Sequence, residues 1–105
     1  MMPKSILVVD DEEDIRSLIK VILEDEGYKV EQAGSGEEAL AILKDKTFDM
    51  IIIDYFMPKM NGRQLAVHIR KNSQSSTIKL VFLTVANFGE SGQKNLKSLG
   101  FRGIS

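Results

Sequence analysis

Four side chains with oxygen atoms end or follow short apolar runs of this chain. They are Asp10, Asp11, Asp54 and Thr84. Carboxylates that meet in one place repel each other, and without a cation at least one of them takes up a proton. A hard divalent ion relieves this repulsion. Mg²⁺ fits best, because it prefers oxygen ligands and needs only one or two carboxylates besides water and phosphate.

Asp54 is unusual because it ends the apolar run IIID and is followed by a loop that contains Pro58. A carboxylate oxygen can accept a phosphoryl group and form an acyl phosphate. Positioning and charge neutralisation provide most of the catalysis of such a transfer. We therefore interpret Asp54 as a nucleophile, with a metal held by Asp11 and Asp54 and with the Thr84 hydroxyl bonded to a phosphoryl oxygen.

Two of these features also have purely structural interpretations. Acids at 10–14 could mark the start of a helix, where carboxylates cap amide groups and suit the helix dipole. Thr84 could be an ordinary β-branched strand residue. Neither interpretation accounts for Asp54, which has no helix beginning at it.

The hydrophobic pattern predicts the elements that must position these groups. Strands are predicted at 6–9, 28–32, 50–53, 78–85 and 101–105, and helices at 12–26, from 35, at 62–70 and at 87–99. Ser35 and Glu38 indicate a capping box, and Gly27 a helix end. Alternating strands and helices favour a parallel sheet with helices on both faces. Ligands bind such sheets beyond the carboxyl ends of the strands, where all four side chains would meet.

The composition is that of one ordinary globular domain spanning residues 1–105. The chain is 43% hydrophobic and 28% charged, with a net charge of -1 and no cysteine. This charge balance favours neither nucleic acid nor an anionic membrane as a partner. The absence of cysteine excludes disulfides and thiolate metal sites. The longest apolar runs are far shorter than a membrane span, so we expect a cytoplasmic protein.

Three segments resemble the receiver domains of two-component response regulators, the CheY-like family. They read VVDDEED at 8–14, IIIDYFMPKMNG at 51–62 and LTVA at 83–86. The resemblance runs from residue 4 to 105, and its most specific part is the Asp-x-x-Met-Pro-x-Met-x-Gly pattern. It implies an α/β fold, a doubly wound five-stranded parallel sheet in the flavodoxin-like order 2-1-3-4-5.

The resemblance also implies roles for individual residues. Asp54 would be the phosphoacceptor, and Asp10 and Asp11 would bind Mg²⁺, with Asp11 as the direct ligand. The backbone carbonyl of Phe56 would be a further ligand, and the Thr84 hydroxyl would move onto the phosphoryl group. The donor would be a phosphohistidine on a sensor histidine kinase or phosphotransfer protein. The chain would then be a signalling domain that assists its own phosphorylation and dephosphorylation, with an unknown output protein.

The chain also departs from the family pattern. It ends at Ser105, before the position of the usual lysine and before the last helix. Ile104 takes the usual aromatic position, and neither Phe56 nor Ala86 can orient an attacking water. We expect the chain either to self-associate through the face that a missing last helix leaves open or to be only marginally stable as a monomer. The alternative is that these residues are the N-terminal part of a longer regulator with a downstream effector domain.

Two other classes of protein share parts of this pattern. Aspartate-nucleophile phosphatases use a parallel sheet and Mg²⁺, but their nucleophile lies in an Asp-x-Asp segment after the first strand. Asp10-Asp11-Glu12 does not match that segment. A flavodoxin-like FMN protein would need a phosphate loop rich in Ser, Thr and Gly after the first strand, which this sequence lacks. The receiver is therefore the leading prediction.

Overall fold

A computed structural model describes residues 3–72 and 77–83 of the chain. In order, the elements are β1 (Ser5–Val9), α1 (Glu13–Asp25), β2 (Lys29–Ala33), α2 (Gly36–Asp45), β3 (Met50–Asp54), α3 (Gly62–Lys71) and β4 (Lys79–Leu83). The strands form one parallel sheet in the order β2-β1-β3-β4. This confirms the predicted α/β class and parallel sheet, and the described strand order agrees with the predicted one up to β4.

Several predictions from the sequence lie outside the described residues. They are the fifth strand at 101–105, the helix at 87–99, the position of Thr84 and the face expected to lack its last helix. Self-association through that face therefore stays a prediction. Among the helices that the structure does describe, none combines the length and hydrophobicity that a membrane span requires.

The two central strands are apolar at residues 6–9 of β1 and 50–53 of β3, because helices cover both faces of the sheet. Alternate residues point to opposite faces. Leu7, Val9, Ile51 and Ile53 pack with side chains of α2 and α3, whereas Ile6, Val8, Met50 and Ile52 pack with side chains of α1. Full burial of each such side chain contributes about 1.5–3 kcal/mol, so these strands are a rigid base for residues at their ends.

The helix ends confirm part of the predicted capping. Gly27 follows the C-cap of α1 with φ of 95° and donates its amide to the Glu24 carbonyl at 3.0 Å. The Ser35 hydroxyl accepts the Glu38 amide at 3.1 Å, as predicted. The reciprocal bond differs, because the Glu38 carboxylate accepts the amide of Gly34 rather than that of Ser35.

The complete capping box lies at the start of α3, where the sequence analysis did not expect one. The Asn61 side chain accepts the Gln64 amide at 2.9 Å, and the Gln64 side chain accepts the Asn61 amide at 2.9 Å. Asn61 and Gln64 have the right residue types and spacing, so the signal was present in the sequence. The box defines where the loop after β3 ends.

Candidate metal centre

The acidic cluster forms at the carboxyl end of the two central strands. Val9 pairs with Ile53 in the β1–β3 register, so the residues that follow in the two strands, Asp10 and Asp54, come side by side. One carboxylate oxygen from each of Asp10, Asp11 and Asp54 lies within 4.8 Å of the others. The sheet thus brings Asp54 beside two acids that lie more than forty residues earlier in the sequence.

Asp10 is held by its backbone and its side chain, and it is only 2% exposed. Its amide donates to the Ala33 carbonyl at 3.1 Å, which continues the pairing of β1 with β2. Its carboxylate accepts the Glu12 amide at 2.9 Å, and its carbonyl accepts Nη1 of Arg16 at 2.7 Å. The carboxylate therefore helps to turn the chain into α1, as the structural interpretation of the acids at 10–14 expected, and it also faces Asp54.

Asp54 is 8% exposed, and the loop that follows it is tightly turned. Its carboxylate accepts the Phe56 amide at 3.2 Å. Tyr55 donates its amide to the Leu83 carbonyl at 2.9 Å, and Gly62 donates to the Tyr55 carbonyl at 3.0 Å. These bonds connect the loop to β4 on one side and to the start of α3 on the other, so the carboxylate has a fixed direction.

Gly62 is required because α3 begins directly against the backbone of Asp54. A Cβ atom at this position would lie 2.6 Å from the Asp54 carbonyl oxygen and 2.8 Å from the Tyr55 Cα atom. The loop also places Lys59 in the left-handed region with φ of 65°, a conformation that costs a non-glycine residue about 1 kcal/mol. The close turn between β3 and α3 thus requires a residue without a side chain at position 62, and the sequence has glycine there.

Burial and mutual repulsion raise the pKa values of the two inner acids. Burial raises the pKa of Asp10 to about 6, with a further contribution from Asp11 and partial compensation by the Glu12 amide. Burial, followed by repulsion from Asp10, raises the pKa of Asp54 to about 7. The interaction between the two carboxyls lowers the pKa of Asp10 and raises the pKa of Asp54, which favours the proton on Asp54. Ionisation of the cluster is therefore unfavourable in the absence of a cation, and a bound cation would stabilise the ionised carboxylates.

The donor set fits a hard divalent cation. Asp10, Asp11 and Asp54 supply carboxylate oxygens, and Asp11 is exposed and accessible from solvent. Among the described residues, no hydrogen bond occupies the Phe56 carbonyl, whereas the Tyr55 carbonyl is already bonded to Gly62. Thr84 follows Leu83, the residue that pairs with Asp54 in the β3–β4 register, but Thr84 itself lies outside the described residues.

Arg16 contacts this site and was missed in the sequence analysis. Its guanidinium bonds the Asp10 carbonyl and also the Gln32 side chain, at 3.3 Å from Nε to Oε1. Its spacing was a usable signal: a residue five positions after Asp11, one turn into the predicted helix, can reach back to the strand end. Which atoms it reaches depends on the position of β2.

The comparisons with known proteins agree with this geometry. Residues 6–104 match the sequence profile described as "Response regulator receiver domain". The chain belongs to the response regulator receiver family. It is therefore a receiver of two-component signal transduction with a CheY-like fold.

Curated and structural relatives of this receiver extend the comparison. The transcriptional regulatory protein SrrA of Staphylococcus aureus is 37% identical over 79 residues, which are 75% of this chain and 33% of SrrA. The chain thus matches about a third of the length of this relative. Chemotaxis protein CheY4 of Vibrio cholerae is 34% identical, with a TM-score of 0.78 over 94% of this chain and 82% of that one.

A third relative is the N-terminal domain of a response regulator receiver protein from Methanoculleus marisnigri JR1. It is 29% identical, with a TM-score of 0.76 over 90% of this chain and 77% of that one. The structural similarity of this chain therefore extends to a receiver protein from a third organism. Together these relatives establish the family and the fold, while the roles of individual residues depend on the geometry of the acidic cluster.

Proposed function

We propose that this receiver accepts a phosphoryl group on Asp54 in a Mg²⁺-dependent transfer from a phosphohistidine. A carboxylate oxygen of Asp54 forms a bond to phosphorus while the bond from phosphorus to the histidine nitrogen breaks, and the nitrogen keeps the electron pair. The observation that carries the proposal is the buried Asp54 carboxylate, held within 4.8 Å of Asp10 and Asp11 at the carboxyl end of the sheet.

The residues proposed to hold Mg²⁺ are Asp11 and Asp54 directly, the Phe56 carbonyl, and Asp10. When bound, the ion neutralises charge on the phosphoryl oxygens and on the cluster. Asp54 must be ionised to act as a nucleophile, and its pKa of about 7 in the bare cluster is too high for full ionisation at neutral pH. A bound cation would lower this pKa and increase the ionised fraction of Asp54.

The remaining site residues are proposed to orient the reacting groups. The Phe56 amide directs one Asp54 oxygen, which leaves the other oxygen for attack. Thr84 follows the residue paired with Asp54 and is proposed to donate its hydroxyl to a phosphoryl oxygen. Most of the rate enhancement would come from this fixed arrangement, since phosphoryl transfer needs little covalent assistance from the protein.

The proposed phosphoryl donor is a sensor histidine kinase or a phosphotransfer protein, and phosphorylation would switch a surface that binds an output partner. That partner is either a separate protein or an effector domain in the same polypeptide. The second arrangement agrees with the length of SrrA, of which this chain matches a third and whose name describes a transcriptional regulator.

Labelling with acetyl phosphate and Mg²⁺, read by intact-mass spectrometry, tests the proposal. The wild-type chain is expected to gain one phosphate, and Asp54→Asn none, because an amide is a poor nucleophile. Asp49→Asn is the matched control. Asp49 lies just before the opposite end of β3, where its carboxylate accepts the Ser5 amide at 2.7 Å. Asp49→Asn should therefore be labelled like the wild type.

Phosphate on Asp54→Asn would contradict the assignment. Labelling of the wild type that persists after chelation of divalent ions would contradict the metal requirement. Continuous turnover of a small phosphate ester, with the phosphate passing through Asp10, would instead favour the phosphatase class.

A further inference from the structure

Arg16 links the loop that carries the proposed metal ligands to the neighbouring strand. Its Nη1 atom donates to the Asp10 carbonyl at 2.7 Å, and its Nε atom lies 3.3 Å from the Gln32 side-chain oxygen. Arg16 belongs to α1, Asp10 follows β1, and Gln32 belongs to β2. One half-buried side chain therefore joins three elements next to the acidic cluster.

The carbonyl that Arg16 binds belongs to the peptide between Asp10 and Asp11. The amide of Asp10 is already fixed by the Ala33 carbonyl at 3.1 Å, so Arg16 fixes the other end of the same residue. Peptide groups are planar, and a bond to the carbonyl therefore sets the orientation of the plane that leads into Asp11.

Asp11 depends on this backbone more than the other acids do. Asp10 and Asp54 each have a carboxylate bonded to a backbone amide, of Glu12 and Phe56 respectively. For Asp11, which is exposed, the described part of the chain offers its carboxylate no hydrogen bond. The peptide before Asp11 therefore helps to set the direction of its Cα–Cβ bond, and so the region that its carboxylate can reach.

We propose that Arg16 is a positioning residue of the metal centre, which aims the Asp11 carboxylate at the cation by clamping the Asp10–Asp11 peptide. The inference rests on the proposed function, since it requires that Asp11 binds Mg²⁺. Outer partners that orient a metal ligand change metal affinity when they are removed, commonly by roughly tenfold or more.

Geometry and charge predict effects of opposite sign, which makes the inference testable. A guanidinium near a cation site repels the cation, so loss of its charge alone would strengthen Mg²⁺ binding. Loss of the clamp would weaken Mg²⁺ binding, because Asp11 would sample orientations that do not reach the ion. The sign of the change in affinity thus separates the two roles.

Lysine should replace arginine only in part. The guanidinium is planar and uses two different nitrogens to bond its two acceptors. The ammonium group of lysine has only one nitrogen and cannot reproduce this geometry. Gly34 leaves room for this group, since a Cβ atom there would lie 3.2 Å from Nη1 of Arg16. Gly34→Ala therefore disturbs the clamp without changing any charge.

The experiment is calorimetric titration of MgCl₂ into the wild type and into Arg16→Gln, Arg16→Lys and Gly34→Ala. Arg70→Gln is the matched control. Arg70 also donates Nη1 to a strand carbonyl, that of Ile78 at 2.7 Å, but it joins α3 to the start of β4, at the end of the sheet away from the acids. Asp11→Ala shows the effect of losing the ligand, and urea unfolding without metal reports the stability of each variant.

We expect Arg16→Gln to weaken Mg²⁺ binding roughly tenfold. The Mg²⁺ affinities of Arg16→Lys and Gly34→Ala should lie between those of the wild type and of Arg16→Gln. We expect Arg70→Gln to bind like the wild type even where its stability is lowered. Because Asp11→Ala already lacks the positioned ligand, adding Arg16→Gln to it should weaken binding no further. Should Arg16→Gln fail to fold, Arg16→Lys and Gly34→Ala carry the same test.

Unchanged or tighter Mg²⁺ binding by the Arg16 variants, with normal binding by the wild type, would overturn this inference and leave the proposed function intact. An equal loss in Arg70→Gln would also overturn it, because the effect would then follow stability alone. Absence of Mg²⁺ binding by the wild type would overturn the proposed function and the role of Arg16 together.

Discussion

At the scale of single residues, Phe56 is an exposed aromatic residue two positions after Asp54. Its ring is 59% exposed and meets Tyr55 edge to face, with the ring centroids 5.2 Å apart. Its amide is bonded to the Asp54 carboxylate, so the Phe56 backbone stays beside the proposed phosphoacceptor. Hydrolysis of an acyl phosphate needs a water in line with the phosphorus, and we expect the ring of Phe56 to hinder that water if Asp54 is phosphorylated.

Phe56→Asn is therefore expected to lose its phosphate several-fold faster than the wild type, because an amide opens the approach and can orient the water. Intact-mass spectra over time after removal of the phosphoryl donor give the rate. Phe56→Leu serves as the control, since it shortens the side chain without adding a polar group. A longer phosphate lifetime in Phe56→Asn would show that the ring does not hinder hydrolysis.

At the scale of elements, the two glycines that begin α2 and α3 differ in what they touch. A Cβ atom at Gly62 would meet backbone atoms of Asp54 and Tyr55, which cannot move without shifting β3. A Cβ atom at Gly36 would meet the side chain of Met60, with the sulfur at 2.6 Å. Methionine is flexible and can adopt another rotamer.

Gly62→Ala should therefore lower the free energy of unfolding by about 3 kcal/mol, and Gly36→Ala by about 1 kcal/mol or less. Urea unfolding of both variants measures the difference. Gly62→Ala should also reduce labelling by acetyl phosphate, because the Asp54 backbone must move, whereas Gly36→Ala should not. Equal losses of stability in the two variants would show that the start of α3 is as adaptable as that of α2.

At the scale of the whole molecule, the acidic cluster couples stability to pH. Asp10 and Asp54 have pKa values of about 6 and about 7 in the folded protein, above the ordinary value of an aspartate. The folded state thus binds protons more tightly than the unfolded state does. This contribution to stability is fully present below pH about 4 and is lost as the pH rises through these two pKa values.

Asp54→Asn should accordingly raise the metal-free stability by about 1–2 kcal/mol at pH 8 and by much less at pH 4. Asparagine keeps the shape and the acceptor for the Phe56 amide while it removes the charge. Urea unfolding in the presence of a chelator, at both pH values, measures this, with Asp49→Asn as the control. A gain that is equal at both pH values would point to packing rather than to charge.

The sequence alone was sufficient for the class of fold and for predicting that the acids meet at one edge of the sheet. Apolar runs with a carboxylate at the end indicated strands that deliver charge to one edge of a sheet, and the structure places Asp10, Asp11 and Asp54 there. The end of α1 just before Gly27 and the Ser35 cap were also predictable. These features depend on residues close together in the chain, and short-range patterns record them directly.

Tertiary structure decided how the acids behave and what holds them. The raised pKa values exist because the β1–β3 register buries Asp10 beside Asp54, 44 residues further along the chain. Arg16 finds its two acceptors because β2 lies beside β1, and Gly62 is needed because α3 begins against the Asp54 carbonyl. Register, burial and close backbone contact result from packing between distant segments, so no local pattern of residues could specify them.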